Sequence, residues 1–235
     1  MIKLGNFLFR NRNGIFPLFY LMLFIPSREV FSNPTTSMII GFSITIIGQF
    51  VRVMTIGLVY IIRGGKERRL YAEDLVTTGI FAHCRNPLYV GNILIVVGLG
   101  IASNSLLFMA VFTPVFLFFW QAIVIAEENY LQNKFGEQYD EYCRRADRWL
   151  INFKGLGKTI HGMQFNWKRV IIREYSSTYV WLTGAALIVM KHFYFHKEQF
   201  DFHKNLIFFI SALAGLLILY LVARYLKKTE KLVSD

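Results

Sequence analysis

The sequence predicts an all-α fold: a polytopic membrane bundle of about six helices, with an amphipathic helix after the fourth span lying on the cytoplasmic side of its core. Three observations point there. Of 235 residues, 54% are hydrophobic and the mean hydropathy is +0.41, more apolar than an ordinary soluble domain. Apolar runs approaching the roughly 20 residues a bilayer requires recur five or six times. With the N-terminus inside, 21 Lys and Arg fall in the inner segments and 4 in the outer ones, Arg52 being within a span. That asymmetry follows the positive-inside rule and predicts six spans with both termini cytoplasmic.

The spans follow in order. Residues 14–25 form a short run that crosses only by borrowing flanking residues. Residues 37–62 form a long one, interrupted by Gln49 and Arg52. Arg52 faces either the bundle or, by snorkelling, the inner headgroups. Residues 88–103 and 105–126 are joined by Ser103-Asn104-Ser105 and read as a tight helical hairpin. Residues 178–195 and 205–226 form a last pair. The organisation is therefore a core over residues 1–177 and an additional C-terminal helix pair over 178–235. No small-residue cleavage site follows the first apolar run, so it reads as retained.

The longest non-spanning piece is 127–177. In it, Phe135, Tyr139, Tyr142 and Ala146 recur at helical spacing on an otherwise charged stretch, predicting a helix over 133–147. It would lie at the interface or close over the bundle as a lid. Gly155 and Gly157 mark a turn, and 161–173 is a further basic amphipathic stretch. The net charge of +11 lies mostly in loops, which reads as membrane-facing charge, with no nucleic-acid partner expected. Cys84 and Cys143 are expected as free thiols. His192 and His196 stand four apart, yet no third ligand is in register, so no metal is expected.

Chemistry concentrates in two places. In Arg85-Asn86-Pro87-Leu88-Tyr89-Val90-Gly91, Asn is a favoured helix N-cap and Pro a favoured first residue. Arg85 just outside that positive helix end would make an anion site at the membrane surface, or simply meet lipid headgroups. Gly91, Gly98 and Gly100 on the same span suit close packing of a neighbour or clearance for a flat ligand. Glu127 and Glu128 end the fourth span, against the inner positive bias. A carboxylate there can accept two ribose hydroxyls or an ammonium group. Arg144, Arg145 and Arg148 follow on the interface helix. Polar groups gathered at one face, without internal repeats, argue against a transporter or a passive scaffold.

These two segments together resemble a family. LVTTGIFAHCRNPLYVGN is similar to the first signature of the isoprenylcysteine carboxyl methyltransferase and phospholipid methyltransferase superfamily, usually Gly-x-Tyr followed by Arg-His-Pro-x-Tyr-x-Gly. EENYLQNKFGEQYDEYCRRADRWL resembles its C-terminal signature of paired Glu, Phe-Gly, two Tyr three apart and a basic end. Arg85, Asn86, Pro87, Tyr89 and Gly91 match the first. Glu127, Glu128, Phe135, Gly136, Tyr139, Tyr142 and Arg145 match the second. Asn86 stands in place of the customary His, Phe81 in place of Tyr, and the final Pro is absent. Asn cannot titrate near neutral pH, which weakens any proton shuttle there.

The resemblance implies an integral membrane methyltransferase that uses S-adenosylmethionine. It would act on an amphipathic or prenylated acceptor reached from the bilayer, by carboxylate O-methylation or amine N-methylation. It further implies catalytic roles for Arg85 and Glu128. Cofactor contacts would come from His83, Asn86, Pro87, Tyr89, Gly91, Glu127, Glu128, Tyr139, Tyr142 and Arg145. The second segment also resembles NADPH-dependent sterol reductases. On that alternative, Arg144, Arg145 and Arg148 would hold a 2′-phosphate.

Overall fold

The computed structural model describes residues 1–23, 25–59, 63–66, 69–195 and 202–229. Six long helices appear in the expected order. α1 (Ile2–Met22) and α2 (Pro34–Leu58) come first, then α3 (Pro87–Ala102) and α4 (Thr113–Phe135). α7 (Trp167–Phe195) and α8 (Phe202–Lys228) come last. Between them lie two short helices, α5 (Glu137–Arg145) and α6 (Leu156–His161). A two-stranded antiparallel ribbon pairs β1 (Arg63–Lys66) with β2 (Arg69–Ala72), with Arg63 opposite Ala72. The ribbon is a small addition to a helical architecture, and the sequence reading did not include it.

By length and composition three helices can cross a membrane: Pro34–Leu58, the continuous stretch Phe108–Phe135, and Leu206–Lys228. Pro87–Ala102 is a shorter apolar helix. α2 exposes Ile39, Ile46, Ile47 and Phe50. α8 exposes Ile207, Phe208, Ile210, Leu217, Ile218 and Leu219. In water such surfaces would aggregate; against acyl chains they are the stable choice. The protein is a membrane protein.

The hairpin predicted at Ser103-Asn104-Ser105 is a real turn. Asn104 adopts φ +54, a left-handed conformation Asn tolerates. Its side-chain oxygen accepts from the backbone of Val30 and Phe31, at 3.1 and 2.8 Å, which ties the turn to the α1–α2 connection. After a π-helical turn at Phe108–Phe112, α4 runs antiparallel to α3.

α2 and α3 meet closely. A methyl group at Gly41 would lie 2.4 Å from the Gly98 carbonyl, and one at Gly48 would lie 2.7 Å from that of Gly91. Only hydrogen at these positions permits the approach, and the contact is the main bond between helices that gain little hydrophobic energy in lipid. Gly5 plays the same part between α1 and Ala122 of α4.

Two differences from the sequence reading matter for the site. Glu127 and Glu128 do not end α4; the helix continues two turns to Phe135, so both carboxylates sit within it. The helix expected over 133–147 is interrupted at Gly136, whose φ of +52 breaks the chain between α4 and α5. The aromatic stripe does pack as a lid. Tyr139, Tyr142 and Ala146 are buried with Phe81, Ile80, Leu58 and Leu131, and Phe135 packs against them.

Candidate active site

α3 and α7 both start at the end of the bundle where α2 finishes, since Asn166 N–H donates to the Gly57 carbonyl and Arg52 reaches residues of both helices. Between α1, α2, α3, α4 and α7 lies a cavity of about 540 Å³, within the range of small-molecule and cofactor sites. Arg85, Asn86, Tyr89 and Asn92 line it on the α3 side. Arg169, Arg173, Glu174 and Ser177 line it on the α7 side, with Glu127 from α4. One helical turn deeper the walls become apolar: Ile95, Val96, Val180, Trp181, Phe116, Trp120 and Phe16. The space is amphipathic, with a charged mouth and a greasy floor.

The first motif builds the mouth. Pro87 is the first residue of α3 and Asn86 its N-cap, as the sequence predicts. The Asn86 side chain, however, makes no capping hydrogen bond. Its amide donates instead to Glu128 Oε1 and to the Arg148 carbonyl, both at 3.3 Å. Asn86 Oδ1 is buried and has no hydrogen-bond partner. Trp120 Nε1, on α4, is in the same condition. Buried polar atoms are rarely left so, because each costs about 1–3 kcal/mol. Both residues line the cavity, and a ligand there would have an acceptor and a donor to meet.

The two glutamates divide. Glu127 lines the cavity, 6% exposed, and accepts a 2.7 Å hydrogen bond from the Tyr89 hydroxyl. Glu128 lies behind the wall. Arg148 bonds its Oε2 at 2.6 and 2.9 Å, and Arg85 approaches its Oε1 at 3.2 and 3.3 Å. Arg85 also donates to the carbonyls of Cys143 and Ala146, at 3.1 and 3.2 Å. It thereby satisfies the C-terminal carbonyls of α5, which a helix end leaves open. Arg85 thus touches the cavity and holds the lid. The hydrogen bond to Glu128 holds the Arg148 guanidinium above its ordinary value.

Most other expected site residues lie away from the cavity. His83 is buried away from the cavity: Nδ1 meets the Asn152 carbonyl at 2.7 Å and Nε2 the Thr159 hydroxyl at 2.9 Å. It pins the α5–α6 connection. Tyr142 donates to the Phe81 carbonyl at 2.8 Å, and Tyr139 packs beside it. Arg145 is on the surface, paired with Glu141 one turn back. Gly91 faces α2, where a methyl group would strike the Arg52 Cγ at 2.5 Å. Pro87 lines the cavity wall. Cys84 is buried and free, and burial pushes its thiol upward.

Sequence reasoning placed a span over 178–195 but missed the part α7 takes in lining the cavity. Arg52 is drawn into the bundle, not to the headgroups. Its Nε meets Glu174 Oε2 at 2.9 Å and its Nη2 meets Oε1 at 2.5 Å. Further bonds reach Asn92 and, at 3.2 Å, the Ser177 hydroxyl. The signal was there: charge within a membrane helix wants a partner. The partner lies 122 residues on, and nothing local names it. His196 lies outside the described residues. Among the described ones no group of three or more His, Cys, Asp or Glu gathers in a metal-binding arrangement.

A helical membrane bundle whose two motif segments converge on one amphipathic cavity defines the class, and comparison with known proteins shows what it resembles. The phospholipid methyltransferase family model matches residues 36–138. The nickel-cobalt-cadmium resistance protein NccN of Alcaligenes xylosoxydans xylosoxydans is 30% identical over 61% of this chain and 66% of its own length. The cobalt-zinc-cadmium resistance protein CzcN of Cupriavidus metallidurans is 32% identical over 53% and 56%. The protein-S-isoprenylcysteine O-methyltransferase of Schizosaccharomyces pombe is 32% identical over 31% and 30%. No solved structure matches significantly. Residues 36–138 are thus similar to the phospholipid methyltransferase family, and the chain also resembles protein-S-isoprenylcysteine O-methyltransferases. It spans 66% and 56% of the two resistance proteins.

Proposed function

We infer that the protein is a membrane methyltransferase using S-adenosylmethionine, acting on an amphipathic acceptor that enters from the bilayer. The observation that carries this reading is the pair of unpartnered buried atoms, Asn86 Oδ1 and Trp120 Nε1, on the walls of a cavity that also presents Glu127. The donor set fits the cofactor. Asn86 Oδ1 is an acceptor for an amino group or a hydroxyl, Glu127 for a ribose diol or an ammonium, and Trp120 Nε1 is a donor for a ring nitrogen or carboxylate. When bound, the sulfonium supplies an activated methyl group.

The chain's own work is alignment and exclusion of water. Tyr89 orients Glu127. Arg85, with Arg148, fixes Glu128 and holds α5 over the site. Arg85 also faces the cavity, where it can orient an anionic acceptor. A carboxylate acceptor is ionised at neutral pH and needs no base. An amine must first lose a proton, and Glu127, which lines the cavity, is better placed than the enclosed Glu128 to receive it. The cytoplasmic orientation of this mouth is supported by the 21-to-4 split of Lys and Arg, because the segments framing it, 63–85 and 134–173, are among the basic ones.

The test is equilibrium binding of S-adenosylhomocysteine and NADPH, in parallel, to detergent-purified protein. S-adenosylhomocysteine alone is expected to bind saturably, with Asn86→Ala and Glu127→Gln each weakening it roughly tenfold. NADPH binding alone would overturn the reading. Of the arginines that outcome would use, Arg145 and Arg148 are paired with Glu141 and Glu128, and none of Arg144, Arg145 and Arg148 lines the cavity.

A further inference from the structure

Gln49 and Arg52, the two polar interruptions of α2, are both spent on α7. Arg52 binds Glu174 and Ser177. One turn away Gln49 donates to the Thr178 hydroxyl at 3.3 Å and accepts the indole N–H of Trp181 at 2.8 Å. Polar side chains at membrane depth are costly and stay where they are used. Their use here is to hold α7 in register along α2 and to fix one ring, Trp181.

Trp181 stands between two spaces. On one side it lines the amphipathic cavity. On the other it lines an apolar groove of about 570 Å³ walled by Phe42 and Ile46 of α2, Ala185 and Val189 of α7, and Gly215 and Leu219 of α8. From Trp181 to Val189 the groove follows α7 for about 12 Å. Small residues, Ala185, Ala186, Ala212 and Gly215, keep it open. A methyl group at Gly215 would meet nothing within 4 Å.

We propose that this groove binds the hydrocarbon chain of the acceptor, acyl or prenyl, and that Trp181, held by Gln49, is the partition past which the chain leaves the cavity. The proposal rests on the methyltransferase reading for the word acceptor; the groove itself stands on geometry. Three features select this occupant over a second helix or bulk lipid. The groove adjoins, across the single side chain of Trp181, the floor of a cavity whose mouth is charged. Arg169, Arg173 and Ser177, four residues apart along α7, give that mouth a face for a polar headgroup, and Trp181 continues the same row. The cavity walls turn apolar in the direction of the groove. A headgroup at the arginines with its chain running past Trp181 matches this order of surfaces. The C-terminal helix pair, outside the matched residues 36–138, then becomes the element that measures the acceptor's chain.

The experiment is photo-crosslinking of the full-length protein in mixed micelles. The probes are carboxylate-headed amphiphiles with octyl, hexadecyl or farnesyl chains and a diazirine at the chain end, mapped by mass spectrometry. The long chains are expected to label Ile46, Leu216 and Leu219, and the octyl chain to label the cavity floor. Gly215→Phe, which fills open space, should cut the long-chain labelling roughly tenfold and leave octyl labelling unchanged. Trp181→Ala should let the octyl probe slip toward the groove, while Trp181→Phe keeps the partition. Long-chain labelling that ignores Gly215→Phe, or that a headless hydrocarbon reproduces equally, would overturn the proposal. S-adenosylhomocysteine binding is measured on the same samples. If it is absent from the wild type while the labelling pattern holds, the enzymatic reading falls and the chain site stands.

Discussion

Breaking the Arg52–Glu174 pair tests whether α7 is docked as described. Both side chains are nearly enclosed, with relative exposures of 9% and 3%, and the guanidinium meets the carboxylate through two parallel bonds. Two unit charges about 4 Å apart in an effective dielectric of about 20 attract by about 4 kcal/mol. Removing one partner leaves the other charged and buried without its counter-charge, which costs about 3–5 kcal/mol. That is a large fraction of the 5–15 kcal/mol that holds an ordinary domain together. Glu174→Leu and Arg52→Met should therefore each lower the midpoint of SDS-induced unfolding sharply. The double variant Arg52→Met/Glu174→Leu removes both desolvation costs and should lie close to the wild type. The cycle then yields a coupling energy of several kcal/mol, far beyond the few tenths seen for independent sites. Additive losses in the double variant would mean that the two groups do not share an environment, and the placement of α7 against α2 and α3 would have to be given up.

Arg85→Ala separates two duties of one residue. If its main part is to latch α5 and Glu128, S-adenosylhomocysteine binding and turnover fall together; if it chiefly faces the acceptor, turnover alone is lost while binding survives. Gly98→Val would drive its side chain against Thr45 Oγ1, 2.4 Å from the added carbon, and the Gly41 carbonyl at 2.5 Å. It should lower thermal stability by about 1–3 kcal/mol or more, whereas Gly215→Ala at an open position should change it little; equal effects would refute the close α2–α3 contact. Burial raises the Cys84 thiol, so the folded state holds that proton more tightly than the unfolded one. The stabilisation is complete below the ordinary thiol value of about 8.5 and is lost as pH rises through the raised one. Thermal stability should fall on the alkaline side in the wild type and less steeply in Cys84→Ala; parallel curves would show that Cys84 is not the group responsible.

Much of this architecture was legible because its causes are local. Apolar runs of bilayer length, a Pro at a helix start and an Asn in a tight turn each act within a few residues, and α3 begins at Pro87 as read. The aromatic stripe at 135, 139, 142 and 146 announced a buried face, and that face is the lid. What was not legible is non-local. Glu127 and Glu128 looked like the end of a span because polarity begins there, but a helix can leave the apolar layer without stopping, and α4 continues to Phe135. Asn86 has the residue type of a cap, yet Glu128 offers its amide a stronger, charged acceptor and wins it. The glycines of the first motif could serve ligand or neighbour with equal local sense; only the position of α2 shows that Gly91 serves the neighbour.

Gly91 carries a consequence for how this protein can be rebuilt. The Arg52 stem passes through the space that a side chain at Gly91 would fill, on its way to Glu174. One glycine inside the family motif is thereby the clearance for the arginine that anchors the two helices beyond it. The appendage is not a detachable module. A chimera that grafts α7 and α8 onto a relative would need Gln49, Arg52 and Gly91 carried across with them, three residues on two helices of the host. Without them the added pair has no purchase, and the host keeps a vacant seam where α7 was meant to lie.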